Sequence, residues 1–239
     1  MIPPTADSVG APRYQVMLDS MMRALAACAL GLAALIVGRR FRDWGATKGE
    51  CEAVLPGDEL IPEPADVTTR AVTVEAPSDE VWRWLVQIGQ NRGGFYSYDW
   101  LQNAAGLRIH SADWICPEWQ QLRVGDVVRL VRPGWLGLGD GMALPVVRLE
   151  SGRSIVLRQQ PPTSAWDGVW SFHVVPHGVR RCRLISRNRT ARGGFVLWLA
   201  GQAMDPIALV MTRRMLLGIK ARAECAVWPE LPVPVRAAS

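Results

Sequence analysis

The chain has 239 residues, of which 49% are hydrophobic and 21% are charged, and it contains 11 tryptophans. This length accommodates one domain of ordinary size plus an appendage, with a full apolar core or a cavity walled by aromatic side chains. The formal net charge is +5, but 25 of the 27 basic residues are arginines scattered along the chain. A scattered charge of this kind is not the basic patch that binds nucleic acid, so we expect no nucleic-acid partner.

The five cysteines are widely spaced and include no C-x-x-C pair. Such a pattern defines neither a zinc site nor a disulfide framework. We therefore predict no metal and no other cofactor, and we interpret the cysteines as small buried hydrophobic residues in a reducing compartment.

An uncharged apolar run, Ala24–Val37, lies near the N-terminus. The longer segment Val16–Gly38 reaches the roughly 20 residues that a helix needs to cross a bilayer. A cleaved signal peptide would need a small-residue cleavage site after the run, but Arg39 and Arg40 follow it. A soluble amphipathic helix would need a polar stripe, which the run lacks. We favour a single-pass membrane anchor, and the positive-inside rule, applied to these arginines and Arg42, predicts a cytoplasmic domain behind it.

Composition shifts divide the rest of the chain. The stretch after the anchor is rich in turn residues, as in a connector, and the C-terminus is rich in proline. The predicted organisation is a disordered N-terminus, a transmembrane anchor, a connector, a main domain and a flexible tail, at residues 1–15, 16–38, 39–67, 68–225 and 226–239 respectively.

The main domain opens with a strand followed by two helices. Arg70–Glu75 alternates and is rich in valine and threonine, as in a strand. Pro77 is well suited to the first position of a helix, and the apolar residues of Val81–Ile88 recur at helical spacing. Tyr98–Ala105 predicts a second, short helix.

The next part of the chain alternates as an antiparallel sheet with one buried face does. Five further strands are predicted, at Asp126–Arg132, Ala143–Glu150, Ser154–Gln160, Val169–Val175 and Arg181–Arg189. His173 falls on the outward face and is expected in solvent. The last helix is predicted to begin at Asp205, a good N-cap that Pro206 follows, and to reach Glu224.

Three stretches carry a family resemblance: Ala76–Asn103 (APSDEVWRWLVQIGQNRGGFYSYDWLQN), Asp43–Thr47 (DWGAT) and Arg213–Glu224 (RRMLLGIKARAE). Together they resemble the START/Bet v1-like superfamily, also called SRPBCC or polyketide cyclase/dehydrase-like, and within it a bacterial branch whose members often carry a membrane segment before the domain. The resemblance spans Trp44 to Glu224. It implies an α+β helix-grip fold, an antiparallel sheet wrapped around a long C-terminal helix, with a single membrane helix before it. The resemblance does not predict a particular function, because the superfamily includes both lipid carriers and cyclases.

The helix-grip fold implies a cavity between the sheet and the terminal helix. Such a cavity would be mostly apolar with a few polar groups, and methionines on the helix suit guests of varied shape. Periodicity by itself indicates only that these positions are buried. The residues expected to line the cavity are Trp84, Tyr96, Tyr98, Val147, Leu157, Trp170, Phe172, Leu184, Met211 and Met215.

Three residues are candidates for acid/base chemistry, although we assign no catalytic residue. His110 and Asp113 are three residues apart and follow Tyr96 closely, so an acid/base group with an orienting carboxylate is possible. The alternative is that His110 and Asp113 hold the irregular insertion Gly106–Leu122 in place by hydrogen bonds to its backbone. No hydrolase, metalloprotease, P-loop or kinase motif occurs.

These observations favour a membrane-anchored protein that binds a hydrophobic small molecule or lipid in the helix-grip cavity, without metal or covalent chemistry. One alternative is a cyclase or aromatase that folds a polyketide in the same cavity. The other is an interaction module that the anchor holds at the membrane.

Overall fold

The computed structural model describes residues 18–19, 21–23, 25, 29, 31, 41–160 and 167–227. The chain divides into two compact units, Met1–Arg40 and Phe41–Ser239. In the first unit the described positions are helical. Most of the predicted anchor, residues 16–38, lies outside the described residues, as do residues 1–15 and 228–239. No helix in the described part is both long enough and apolar enough to cross a bilayer.

The second unit contains a six-stranded sheet. The strands are β1 (Asp66–Val74), β2 (Val127–Val131), β3 (Met142–Glu150), β4 (Ser154–Gln159), β5 (Gly168–Pro176) and β6 (Cys182–Thr190). Their order across the sheet is β1-β6-β5-β4-β3-β2, and every neighbouring pair is antiparallel. The predicted antiparallel sheet is therefore confirmed.

Helices pack on both faces of this sheet. The described part of the unit contains α1 (Lys48–Glu52), α2 (Ser78–Val86), α3 (Asp99–Ala104) and α4 (Phe195–Val227), with short 3-10 turns at Asp58–Leu60, Pro117–Trp119 and Trp135–Gly137. Asp79 and Glu80 lie in the first turn of α2, where the helix dipole favours negative charge. The long helix α4 packs against β1 and α2, so the predicted C-terminal helix is confirmed.

The start predicted for this helix is wrong. α4 begins at Phe195 and carries Pro206 in its interior. The prediction assigned Asp205 to capping, in which its carboxylate would accept a backbone hydrogen bond. Instead, that carboxylate pairs with Arg42 at 3.3 Å and with Arg70 at 3.1 Å. Because these ion pairs occupy Asp205, the helix has no cap at this point and continues in the N-terminal direction.

The core lies between the inward face of the sheet and the C-terminal half of α4. Met215, Leu216 and Ile219 of α4 are buried in one cluster with Phe172 and Leu184 of the sheet. Burial of each such side chain contributes roughly 1.5–3 kcal/mol. This cluster fixes α4 across the sheet and closes one half of the space between them.

The outward face of the sheet is also covered. Arg187 of β6 lies on this face and is 1% exposed. Its guanidinium donates to Asp58 Oδ2 at 2.6 Å and to Thr69 Oγ1 at 3.1 Å. It donates as well to the backbone oxygens of Glu50, Cys51 and Ala53. One buried cation therefore holds α1 and the turn at Asp58 against the sheet.

His173 is a correction to the sequence analysis. It lies on the outward face, as the alternation predicts, but it is 3% exposed instead of solvated. Its Nε2 is 3.0 Å from Ser171 Oγ. Burial, with a smaller contribution from the positive charge of Arg187, lowers the pKa of His173 to about 4. Strand alternation identifies the face but gives no sign that another segment covers it.

Candidate ligand-binding cleft

Side-chain burial between the sheet and α4 changes along both elements. Along β5, Phe172 is fully buried whereas Trp170, two residues earlier on the same face, is half-buried. Along α4, Met215 is buried and Met211, one turn earlier, is half-buried. We refer to these two half-buried positions, together with the half-buried Tyr98, as the cleft.

Six of the predicted cavity residues belong to the packed core. The structure brings them into one core cluster, in which each is buried: Trp84, Tyr96, Leu157, Phe172, Leu184 and Met215. The remaining inward-facing candidates, Trp170, Tyr98 and Met211, are the ones that line the cleft.

Tyr96 is held in place by several contacts. Its φ of 53° is left-handed, a conformation that costs on the order of 1–3 kcal/mol for a residue other than glycine. Its backbone N–H donates to Ser111 Oγ at 2.9 Å, and its hydroxyl donates to the carbonyl of Trp84 at 3.2 Å. Burial raises the pKa of this hydroxyl above its ordinary value. Gly218 of α4 packs against Tyr96 so closely that a Cβ would lie 2.1 Å from its carbonyl oxygen.

Hydrogen bonds join the sheet side of the cleft to α4. The indole Nε1 of Trp170 donates to Ser186 Oγ at 2.9 Å, and Ser186 lies opposite Arg70 in the β1–β6 pair. The guanidinium of Arg70 donates to Thr212 Oγ1 at 3.4 Å and to Asp205 Oδ1 at 3.1 Å. Burial lowers the pKa of Arg70, while the charge of Asp205 opposes that shift.

The other side of the cleft is formed by the segment before α3. Ser97 Oγ donates to the carbonyl of Met211 at 3.0 Å. The guanidinium of Arg214 lies over the ring of Tyr98, 5.5 Å from its centroid. Within the described part of the chain, the buried Nε of Arg214 has no hydrogen-bond partner. The cleft therefore combines apolar and aromatic side chains with a guanidinium whose buried Nε makes no hydrogen bond within the described part of the chain.

Val147 is a second correction. It is 38% exposed, while its neighbour Val146 is buried. The β3–β4 register shifts between Val146 and Arg148, and this irregularity leaves Val147 and Arg148 both on the exposed side. Strict alternation does not hold across a bulge, so the expectation that Val147 faces the cavity is not met.

Two of the three acid/base candidates, His110 and Asp113, lie in the loop region after α3. The side chain of His110 is exposed. Asp113 accepts a hydrogen bond from Arg222 of α4 at 2.7 Å, which ties the insertion to that helix. Asp99 accepts hydrogen bonds from the backbone N–H and the hydroxyl of Ser111. Asp113 and Asp99 thus hold the irregular insertion in place through these contacts, while the role expected for His110 stays a prediction.

The sequence analysis did not predict three residues that contact the cleft or its surroundings, namely Arg70, Arg214 and Ser97. Arg70 had a usable signal, because it is a lone cation at an inward position of β1, in register with Val72 and Val74. Arg214 borders the apolar stripe of the terminal helix in the sequence. Ser97 carries no signal, since its contact with Met211 spans 114 positions.

The sheet, with α4 across its inward face, has the helix-grip arrangement of an α+β protein. No protein-family model matches the chain, and no curated protein matches it in sequence. Among solved structures, the ZhuI aromatase/cyclase from Streptomyces sp. R1128 is 20% identical, with 68% of this chain and 95% of that chain covered and a TM-score of 0.37. A truncated norcoclaurine synthase from Thalictrum flavum is 14% identical, with 68% and 93% covered and a TM-score of 0.37.

The Aha1 dimer from Colwellia psychrerythraea is also similar, at 11% identity over 66% of this chain and 96% of that chain, with a TM-score of 0.37. Identity and TM-score are low for all three proteins. The description of the fold therefore rests on the strand order and on α4, and no activity is transferred from these proteins.

Proposed function

We propose that this protein is a membrane-anchored binding protein that holds a hydrophobic small molecule or lipid in the cleft. The observation that carries the proposal is the change along one inward face from packed core to half-buried Trp170, Tyr98 and Met211. Sites for small molecules combine apolar and aromatic walls with a few polar groups that set orientation. The cleft has such walls, and Arg214 offers a cation to a polar or acidic head group.

The anchoring part of the proposal rests on the sequence. Residues 16–38 supply the length and apolarity of a single membrane helix. Arg39, Arg40 and Arg42 favour a cytoplasmic position for the domain. A domain held at the membrane in this way has direct access to apolar molecules that partition into the bilayer.

Binding is better supported than catalysis of the cyclase or aromatase type. Such an enzyme needs a group that moves protons beside its substrate. The hydroxyl of Tyr96 donates to the backbone of Trp84, and burial raises its pKa further above the ordinary value for tyrosine, so it does not act as a base at neutral pH. His110 is exposed in the insertion. Neither group is placed as a base in the cleft.

The test is native mass spectrometry of the full chain extracted in mild detergent. We expect an apolar compound to co-purify with the parent protein, and Trp170→Ala to lower its occupancy about tenfold. Trp114→Ala removes the same indole from a site in the insertion that is 66% exposed, and should leave occupancy unchanged. A folded parent that carries no apolar compound, or equal losses in both variants, would overturn the proposal.

A further inference from the structure

The N-terminal half of α4 has its polar and apolar faces inverted. Between Leu199 and Val210, every exposed side chain in the described part is apolar: Leu199, Ala203, Met204, Ile207, Ala208 and Val210. Four of these six residues, Leu199, Ala203, Ile207 and Val210, are spaced so that they form one continuous helical face. We call all six exposed residues the apolar face. In a soluble protein, this surface of a helix normally carries charged residues.

The polar residues of the same segment are less exposed than the apolar ones. Gln202 and Asp205 are half-buried, and Asp205 pairs with Arg42 and Arg70. Asp205 is also the only charged residue between Arg192 and Arg213. Its charge is therefore neutralised inside the domain, and the outer surface of this half of the helix carries none.

We propose that the apolar face lies in the hydrocarbon of the membrane, as a second attachment site in addition to the N-terminal anchor. The position of Arg42 indicates that the apolar face contacts lipid. Arg42 forms an ion pair with Asp205, and the uncharged run Ala24–Val37 ends five residues before Arg42. Five residues of extended chain reach at most about 17 Å. An anchored chain thus holds this end of the domain, and the apolar face with it, at the bilayer.

The length of the apolar face fits an interfacial position. From Leu199 to Val210 the helix rises about 17 Å at 1.5 Å per residue, roughly half of the 30 Å hydrocarbon core. The segment is therefore too short to span the bilayer and lies within one leaflet. Arg192, which precedes α4, and Arg213, which follows the segment and lies over the ring of Trp44, are exposed, and basic residues on either side of such a segment favour contact with lipid phosphates.

This inference rests on the membrane attachment in the proposed function and is independent of the ligand. It is tested on the full chain in vesicles of phosphatidylcholine and phosphatidylglycerol. The photo-cross-linking residue p-benzoylphenylalanine replaces Ile207, which is 53% exposed, or Met204, which is 55% exposed. The control position is Val179, which is 87% exposed and lies in the turn between β5 and β6. The other end of β6 is the end at which Thr190 pairs with Asp66 of β1.

Mass spectrometry after irradiation identifies what each position touches. We expect phospholipid adducts at Ile207 and Met204 to be at least about tenfold more abundant than at Val179. Adducts with a second copy of the chain, with its own N-terminal segment, or at the level of Val179 would overturn the inference. A carbonate wash separates the two proposals. Protein that resists the wash but gives no lipid adducts disproves only this inference, and protein that washes off while still giving adducts disproves only the anchor.

Discussion

Among single residues, His173 shows how burial sets ionisation in this domain. The imidazole is buried on the outward face of the sheet, and its pKa is lowered to about 4 from an ordinary value of 6.5. Between these two pH values the unfolded chain binds more protons than the folded chain. Stability therefore falls as the pH drops from about 6.5 towards 4 and levels off below that, by up to about 3 kcal/mol in total.

The measurement is urea unfolding at pH 7 and at pH 4.5. His173→Gln removes the titrating group, so it should lose this part of the pH dependence. His177→Gln is the matched control, because His177 is exposed in the adjacent turn, and it should keep the parent profile. An unchanged profile in the His173 variant would mean that other groups produce the acid sensitivity.

Gly218 is the second position where one residue decides the packing. A Cβ at Gly218 would lie 2.1 Å from the carbonyl oxygen of Tyr96, and that oxygen is backbone. We expect Gly218→Ala to destabilise the domain by roughly 1–3 kcal/mol, as overpacking of a core does. Gly201 lies on the same helix with open space around its Cβ position. There Gly201→Ala should stabilise the helix by up to about 1 kcal/mol.

Thermal unfolding of both variants gives the comparison. The two substitutions are chemically identical, so opposite signs of the change in melting temperature isolate the close approach to Tyr96. Two changes of the same sign would show that helix propensity, and not this contact, governs both positions.

Among elements, the segment that carries α1 and the Asp58 turn is held to β6 by three arginines: Arg187 is buried and bonds to Asp58, Arg183 pairs with Glu50, and Arg189 donates to the carbonyl of Ile61. Asp58→Asn leaves the buried guanidinium of Arg187 without its nearest carboxylate, and breaking a buried pair in this way costs about 3–5 kcal/mol. The neighbouring Glu59 pairs with Arg148 at the surface, where exposed ion pairs contribute little. Glu59→Gln should therefore leave the free energy of unfolding unchanged within error.

Chemical denaturation of the two variants measures the difference, and limited proteolysis shows where it arises. We expect faster cleavage within residues 45–64 for Asp58→Asn. If both variants unfold at the same denaturant concentration as the parent, Arg187 is satisfied by the backbone oxygens of Glu50, Cys51 and Ala53, and the ion pair is dispensable.

Most strands were predictable because alternation is a local signal. The β3–β4 hairpin, for example, follows from two alternating runs around Ser151-Gly152-Arg153. The start of α4 was not predictable in the same way. Asp205-Pro206 has the local chemistry of a helix start, whereas the partners that engage Asp205 are Arg42 and Arg70, which lie far away in sequence. Local patterns carry no information on such pairs.

The candidate site was predictable to a similar extent. Alternation placed Trp170 and Phe172 on one face, but not the point where packed core gives way to the cleft between them. The position at which burial decreases between Phe172 and Trp170 depends on how α4 packs across the sheet. The bulge beside Val147 and the cover over His173 also arise from tertiary contacts, so period-two reasoning placed both residues in the wrong environment.

For the whole molecule, two features meet at the same end of α4. The cleft includes Met211 and lies beside Arg214, and the apolar face lies immediately before them, from Leu199 to Val210. Asp205 connects the two regions, because it bonds to Arg70 on the sheet side of the cleft and to Arg42, which follows the predicted anchor. The proposed binding site and the proposed membrane contact are therefore neighbours, which gives an apolar ligand a short path from the bilayer.

Two methionines on α4 provide the test of this division between cleft and core. Met215 is buried in the core cluster, so Met215→Trp adds bulk where no space exists and should cost about 1–3 kcal/mol. Met211 is half-buried and its backbone carbonyl accepts a hydrogen bond from Ser97, the neighbour of Tyr98, so Met211→Trp should leave the melting temperature nearly unchanged while it lowers occupancy by the co-purifying compound. Thermal unfolding and native mass spectrometry on the same preparations rank the two variants in opposite orders. If Met211→Trp destabilises the protein as much as Met215→Trp, the core extends through the cleft and the space proposed for a ligand is filled by the protein itself.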